Sequence, residues 1–98
     1  MRIKLTLSEY IALTWAVLNN GKLEGLDNPI KARVLRDKFY SLRNKGVVDF
    51  TKLQVHRIFK CRFGGIYDLV LENFQLKGKP IYADNKGAIF DVDNKNEE

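Results

Sequence analysis

Ile3, Leu5 and Leu7 alternate with Arg2, Lys4 and Thr6 in RIKLTL, the period-two pattern of a short strand. The alternation runs directly into a helix start. Thr6 and Glu9 have the S/T-x-x-E spacing of a capping box, with Leu5 and Tyr10 at the positions of a hydrophobic staple. The spacing predicts a helix from Leu7 to about Asn20. At about 100° per residue, Leu7, Tyr10, Ile11, Thr14, Val17 and Leu18 share one face, which is expected to point to the core. Leu13 and Trp15 flank that face and Ala12 and Ala16 lie opposite, so cover on more than one side is expected. Asn-Asn-Gly ends the helix, and KLEGLD reads as a loop.

Asn28 and Pro29 open a second helix, with asparagine as the cap and proline at the first helical position. Leu35, Phe39 and Leu42 form its apolar stripe, and Gly46 is its stop. Ile30 and Val34 fall off that stripe, which leaves room for a short helical turn followed by a helix from about Val34. VVDF then suits a strand. Residues 51–63 have two readings. FKCRFGGIYDLVL places Gly64-Gly65 between segments rich in aromatic and β-branched residues, a hairpin signal, with Phe59, Cys61 and Phe63 alternating with Lys60 and Arg62. Thr51 and Gln54 also fit a capping box for a helix over 52–63, and a helical turn near 51–56 followed by a strand lies between the two. IYA and AIFDV flank DNKG as a C-terminal hairpin.

The expected fold is therefore α+β: a short N-terminal strand, two main helices, then a small antiparallel sheet with a C-terminal hairpin. One domain is expected over residues 1–92, with 93–98 as a polar, disordered tail. The core is expected to draw on Leu7, Ile11, Trp15, Leu18, Leu35, Phe39, Leu42, Val48, Phe59, Leu69, Leu71, Ile81 and Phe90. Tyr10 and Trp15 are read as core residues, and a homodimer through them is an option only if one side of the first helix is exposed.

Charge changes the picture. The net charge is +5, and Lys31 to Arg62 holds ten Lys or Arg against two Asp. Such a balance favours an anionic partner, either nucleic acid, with DNA favoured over RNA, or an acidic protein surface. On the second helix Arg33, Arg36, Tyr40 and Arg43 fall at i, i+3, i+7 and i+10, a stripe beside the apolar one. Guanidinium forks suit phosphate oxygens and guanine edges, and a phenol can hydrogen-bond or stack. Lys31, Lys38 and Asn44 are expected to widen that contact, and Lys60 and Arg62 to add secondary phosphate contacts.

The candidate chemistry subtracts more than it adds. One His and one Cys, His56 and Cys61, make no structural metal set and no cofactor motif, and Cys61 is expected to be a core thiol. Gly64-Gly65 lacks the spacing of a phosphate loop, and the acidic residues are scattered, so an enzyme is not expected. No apolar run reaches membrane-spanning length and no secretion signal opens the chain, so a cytoplasmic location (host cytoplasm for a viral product) and no membrane partner are expected.

LTLSEYIALTWAVLNNG and VLRDKFYSLRNKGVV together resemble the first and recognition helices of winged-helix DNA-binding domains, over residues 5–48. The resemblance implies a recognition helix in the major groove, with Arg33, Arg36, Tyr40 and Arg43 facing DNA and a hairpin wing on the backbone. The spacer KLEGLDNPIKAR is short for that family's second helix. The rival functional reading is a small protein-binding inhibitor of a host nucleic-acid enzyme, of viral or mobile-element type, using the same basic surface against an acidic cleft.

Overall fold

Ten elements follow one another in the computed structural model, which describes residues 1–62 and 64–92. They are β1 (Arg2–Thr6), α1 (Leu7–Leu18), β2 (Lys22–Leu26), α2 (Pro29–Asn44), β3 (Val48–Asp49), β4 (Lys52–Cys61), β5 (Gly64–Glu72), β6 (Gln75–Leu76), β7 (Gly78–Asp84) and β8 (Gly87–Val92). This is the expected α+β class, with two helices and antiparallel sheets. The expectations for the Cys61 thiol, for Phe63 and for the 93–98 tail lie outside the described residues.

The strands form three antiparallel groups, ordered β1-β8-β7, β2-β5-β4 and β3-β6. α1 lies on β8 and β1, α2 lies on β5, and the helices pack side by side. The core fills the space between: Leu5, Leu13, Leu23, Leu26, Phe39, Leu42, Leu69 and Phe90 are buried.

Local chemistry explains the helix ends. The Thr6 hydroxyl accepts from the Glu9 amide at 3.2 Å, and the Glu9 carboxylate accepts from the Thr6 amide at 3.0 Å, completing the capping box. Gly21, at φ +83°, turns the chain after α1 so tightly that a Cβ there would sit 2.9 Å from the Leu71 carbonyl oxygen. Asn28 caps α2 by accepting from the Ile30 amide at 2.8 Å, and Pro29 follows. α2 is one continuous helix, without the break allowed for near Val34.

Three expectations are corrected. KLEGLD is not a loop: β2 pairs Leu23 with Leu69 at the edge of a sheet. Of the readings left open for residues 51–63 the hairpin strand is the one formed: residues 52–61 are strand throughout, and Thr51 is not a helix cap but bonds to the Glu72 carbonyl. α1 is turned round: Glu9, Ala12, Leu13 and Ala16 are buried, while Leu7, Ile11, Val17 and Leu18 are exposed. A helix with apolar residues on nearly every side gives periodicity little purchase, and here the small Ala12 and Ala16 take the buried side. Phe59 and Ile81 are also exposed. Phe59 follows a bulge between Arg57 and Phe59, and Ile81 falls in one between Pro80 and Tyr82.

Candidate nucleic-acid interface

α2 has three sides, each set by what it meets. Ala32, Phe39 and Leu42 go into the core. The flank toward α1 carries Lys31, Lys38, Ser41 and Lys45. Lys45 meets the Glu9 carboxylate at 2.8 Å, Ser41 donates to it at 2.9 Å, and Lys31 lies 5.9 Å from the Trp15 ring. Lys31 and Lys38 therefore do not widen the arginine stripe, because they stand on the opposite flank of the helix.

The other flank carries the stripe. Arg33, Arg36 and Tyr40 are exposed and Arg43 is half-buried. The Tyr40 and Phe50 rings lie 5.8 Å apart, and the Arg43 guanidinium lies 4.5 Å over Phe50 and 5.1 Å over Tyr40. Arg43 also donates to the Phe50 carbonyl at 3.3 Å. Phe50 leads into β4, so these contacts aim the stripe at the β4 side of the molecule. Arg43 is consequently a packing residue as well as a cation, whereas Arg33 and Arg36 stand clear. Arg36 has Asp37 at 3.7 Å, but both side chains are exposed, and such a pair holds weakly.

Register determines what β4 offers to the same side. Directly opposed residues of an antiparallel pair point to one face. Leu53, Val55 and Arg57 oppose Leu71, Leu69 and Tyr67, which all pack on the core. Leu53, Val55 and Arg57 therefore lie on the face that carries α2. Beyond the bulge the pairing shifts by one, and Lys60, opposite Gly65, returns to that face. α2 packs on β5 rather than β4, which leaves Val55 exposed although its partner Leu69 is fully buried. The result is a shelf: the flank of α2 with Arg33, Arg36, Tyr40 and Arg43 on one side, and β4 with Arg57 and Lys60 on the other. Arg62 is exposed in the turn that follows β4.

Arg57 was missed from the sequence. Its place depends on β4 being a strand and on a bulge that puts Arg57 and Lys60, three apart, on one face; strict alternation would separate them. Among the described residues no three His, Cys, Asp or Glu side chains gather as a metal site requires, and no helix is long and apolar enough to cross a membrane. No protein-family model, no curated protein and no solved structure matches the chain.

Proposed function

We propose that this is a small nucleic-acid-binding regulatory protein that lays a phosphate backbone along the shelf between α2 and β4. One observation carries the reading. Cations from two elements distant in sequence, Arg33 and Arg36 on α2 and Arg57 and Lys60 on β4, are exposed toward the same side, and Asp37 is the one acid in α2. Arg33 to Arg43 spans about 15 Å along the helix axis, enough to meet more than one phosphate. Tyr40 and Phe50 supply aromatic surface among the guanidiniums, a combination that suits stacking as well as charge.

The winged-helix resemblance supports the reading in one respect and departs in another. A long hairpin, β4–β5, follows α2 as a wing follows a recognition helix, but the strand β2 stands where such domains carry a further helix. An acidic protein cleft would meet the same cations, and binding assays separate the two partners. Fluorescence anisotropy with duplex and single-stranded DNA and RNA is expected to show binding that weakens steeply with salt as counterions are released. No binding to any of the four at low salt overturns the reading, and a tight complex with one acidic protein in its place assigns the shelf to an inhibitor.

A further inference from the structure

We propose that the outer face of α1 is a two-fold interface to a second copy of this chain. The inference is independent of the nucleic-acid reading, since it concerns the opposite side of α2.

α1 is covered on its inner side alone. Its solvent side carries Leu7, Ile11, Thr14 and Leu18 at i, i+4, i+7 and i+11, with Leu18 79% and Ile11 56% exposed. Residues 10–21 contain no charged side chain, in a chain 30% charged. Single exposed leucines are ordinary, but a continuous apolar ridge is not. The ridge is bordered by two apolar depressions. One, of about 180 Å³, lies between α1 and Leu76, Pro80 and Phe90; the other, of about 490 Å³, lies over Tyr10, Ile11 and Trp15.

A second copy fits this face for three reasons. Each chain carries +5, and residues 10–21 bring no charge against charge when the face meets itself. A two-fold axis sets the ridge antiparallel to itself, interleaving the side chains and opposing the helix dipoles. In the middle of the face the Thr14 hydroxyl donates to the Tyr10 carbonyl at 2.9 Å, so covering it strands no donor there. Leu76, 43% exposed, and Pro80 continue the apolar surface beyond α1, so the face is wider than one helix ridge. Such a dimer leaves both arginine stripes uncovered.

Sedimentation velocity on the full chain at about 100 µM tests this, because a dimer's population follows protomer concentration. The expected mass is twice 11.3 kDa. Leu18→Glu and Ile11→Glu are each expected to weaken the dimer at least about tenfold, while far-ultraviolet circular dichroism stays unchanged. Trp15, the single tryptophan, borders the face and is expected to shift its emission to longer wavelength as the wild-type dimer is diluted. A wild-type monomer at that concentration overturns the proposal, and so does a dimer that both folded variants retain. A monomer whose Trp15 emission shifts on adding phosphatidylcholine–phosphatidylglycerol vesicles also overturns it, assigning the face to a lipid surface.

Discussion

The Lys45 ammonium lies 2.8 Å from the Glu9 carboxylate and ties the last turn of α2 to the first turn of α1. Glu9 is 3% exposed and accepts hydrogen bonds from four donors: the Thr6 amide and hydroxyl, Ser41 and Lys45. Burial works against its ionisation, but the hydrogen bonds from Lys45, the Thr6 backbone and Ser41, with the charge of Lys45, outweigh that and hold its pKa at about 2. The two helices that frame the molecule thus share one buried anion.

That anion predicts an acid-sensitive contribution to stability. The folded pKa lies below the unfolded value, so the contribution is complete above about pH 4.5 and is lost as pH falls toward 2, amounting to about 2–3 kcal/mol. Glu9→Gln keeps a side chain able to bond the Thr6 amide but leaves Lys45 without its counter-charge. Urea denaturation is expected to show the variant less stable at pH 7 and close to wild type at pH 2.5. Parallel stability curves across that range would show that the carboxylate charge contributes nothing.

Thr6→Ala removes the cap itself. It is expected to lower stability by about 1 kcal/mol, read as the shift in a chemical-denaturation midpoint. An unchanged midpoint would mean that the reciprocal bonds to Glu9 do not hold the start of α1.

Gly21→Ala is expected to be more damaging, by about 2 kcal/mol or more. The residue sits at φ +83°, and its new Cβ would press on the Leu71 carbonyl and on Phe74. The Gly21 carbonyl also accepts from the Leu71 amide at 2.8 Å, so displacement there loosens the junction of α1 with β5. Thermal unfolding checks this; a melting temperature within a degree or so of wild type would contradict it.

Arg43 and Arg36 are expected to part company although they lie on one stripe. Arg43→Ala loses the stacking on Phe50 and the bond to its carbonyl, and is expected to cost about 1–2 kcal/mol of stability. Arg36→Ala touches little besides an exposed Asp37 and is expected to stay within about 0.5 kcal/mol of wild type. Equal stability losses in the two variants would show that the Arg43–Phe50 contact is not maintained in solution.

Helix starts and stops were legible in the sequence because their chemistry is local. Thr6 with Glu9, Asn28 with Pro29, and Gly46 each need only near neighbours to act. The C-terminal hairpin around DNKG was legible for the same reason. What the chain could not disclose were choices made by distant partners. β2 is a strand because β5 accepts it, although Gly25 and the charges in KLEGL argue locally for a loop. α1 is apolar on nearly every side, so its buried side was fixed by the sheet beneath it and not by its own period. The shelf divides in the same way: the spacing of Arg33, Arg36, Tyr40 and Arg43 was visible along one helix, while Arg57 joins only through the register of β4 on β5.

The most direct test of the shelf is the salt dependence of duplex DNA binding by wild type and by the Arg33→Ala/Arg36→Ala double variant, measured by fluorescence anisotropy. If both guanidiniums contact phosphates, the slope of log K against log salt is expected to fall by about 2, with affinity reduced uniformly across sequences. The double variant should keep the wild-type fold by circular dichroism. A double variant that binds with wild-type affinity and the same slope would contradict the account and leave the stripe as no more than the solvated side of α2.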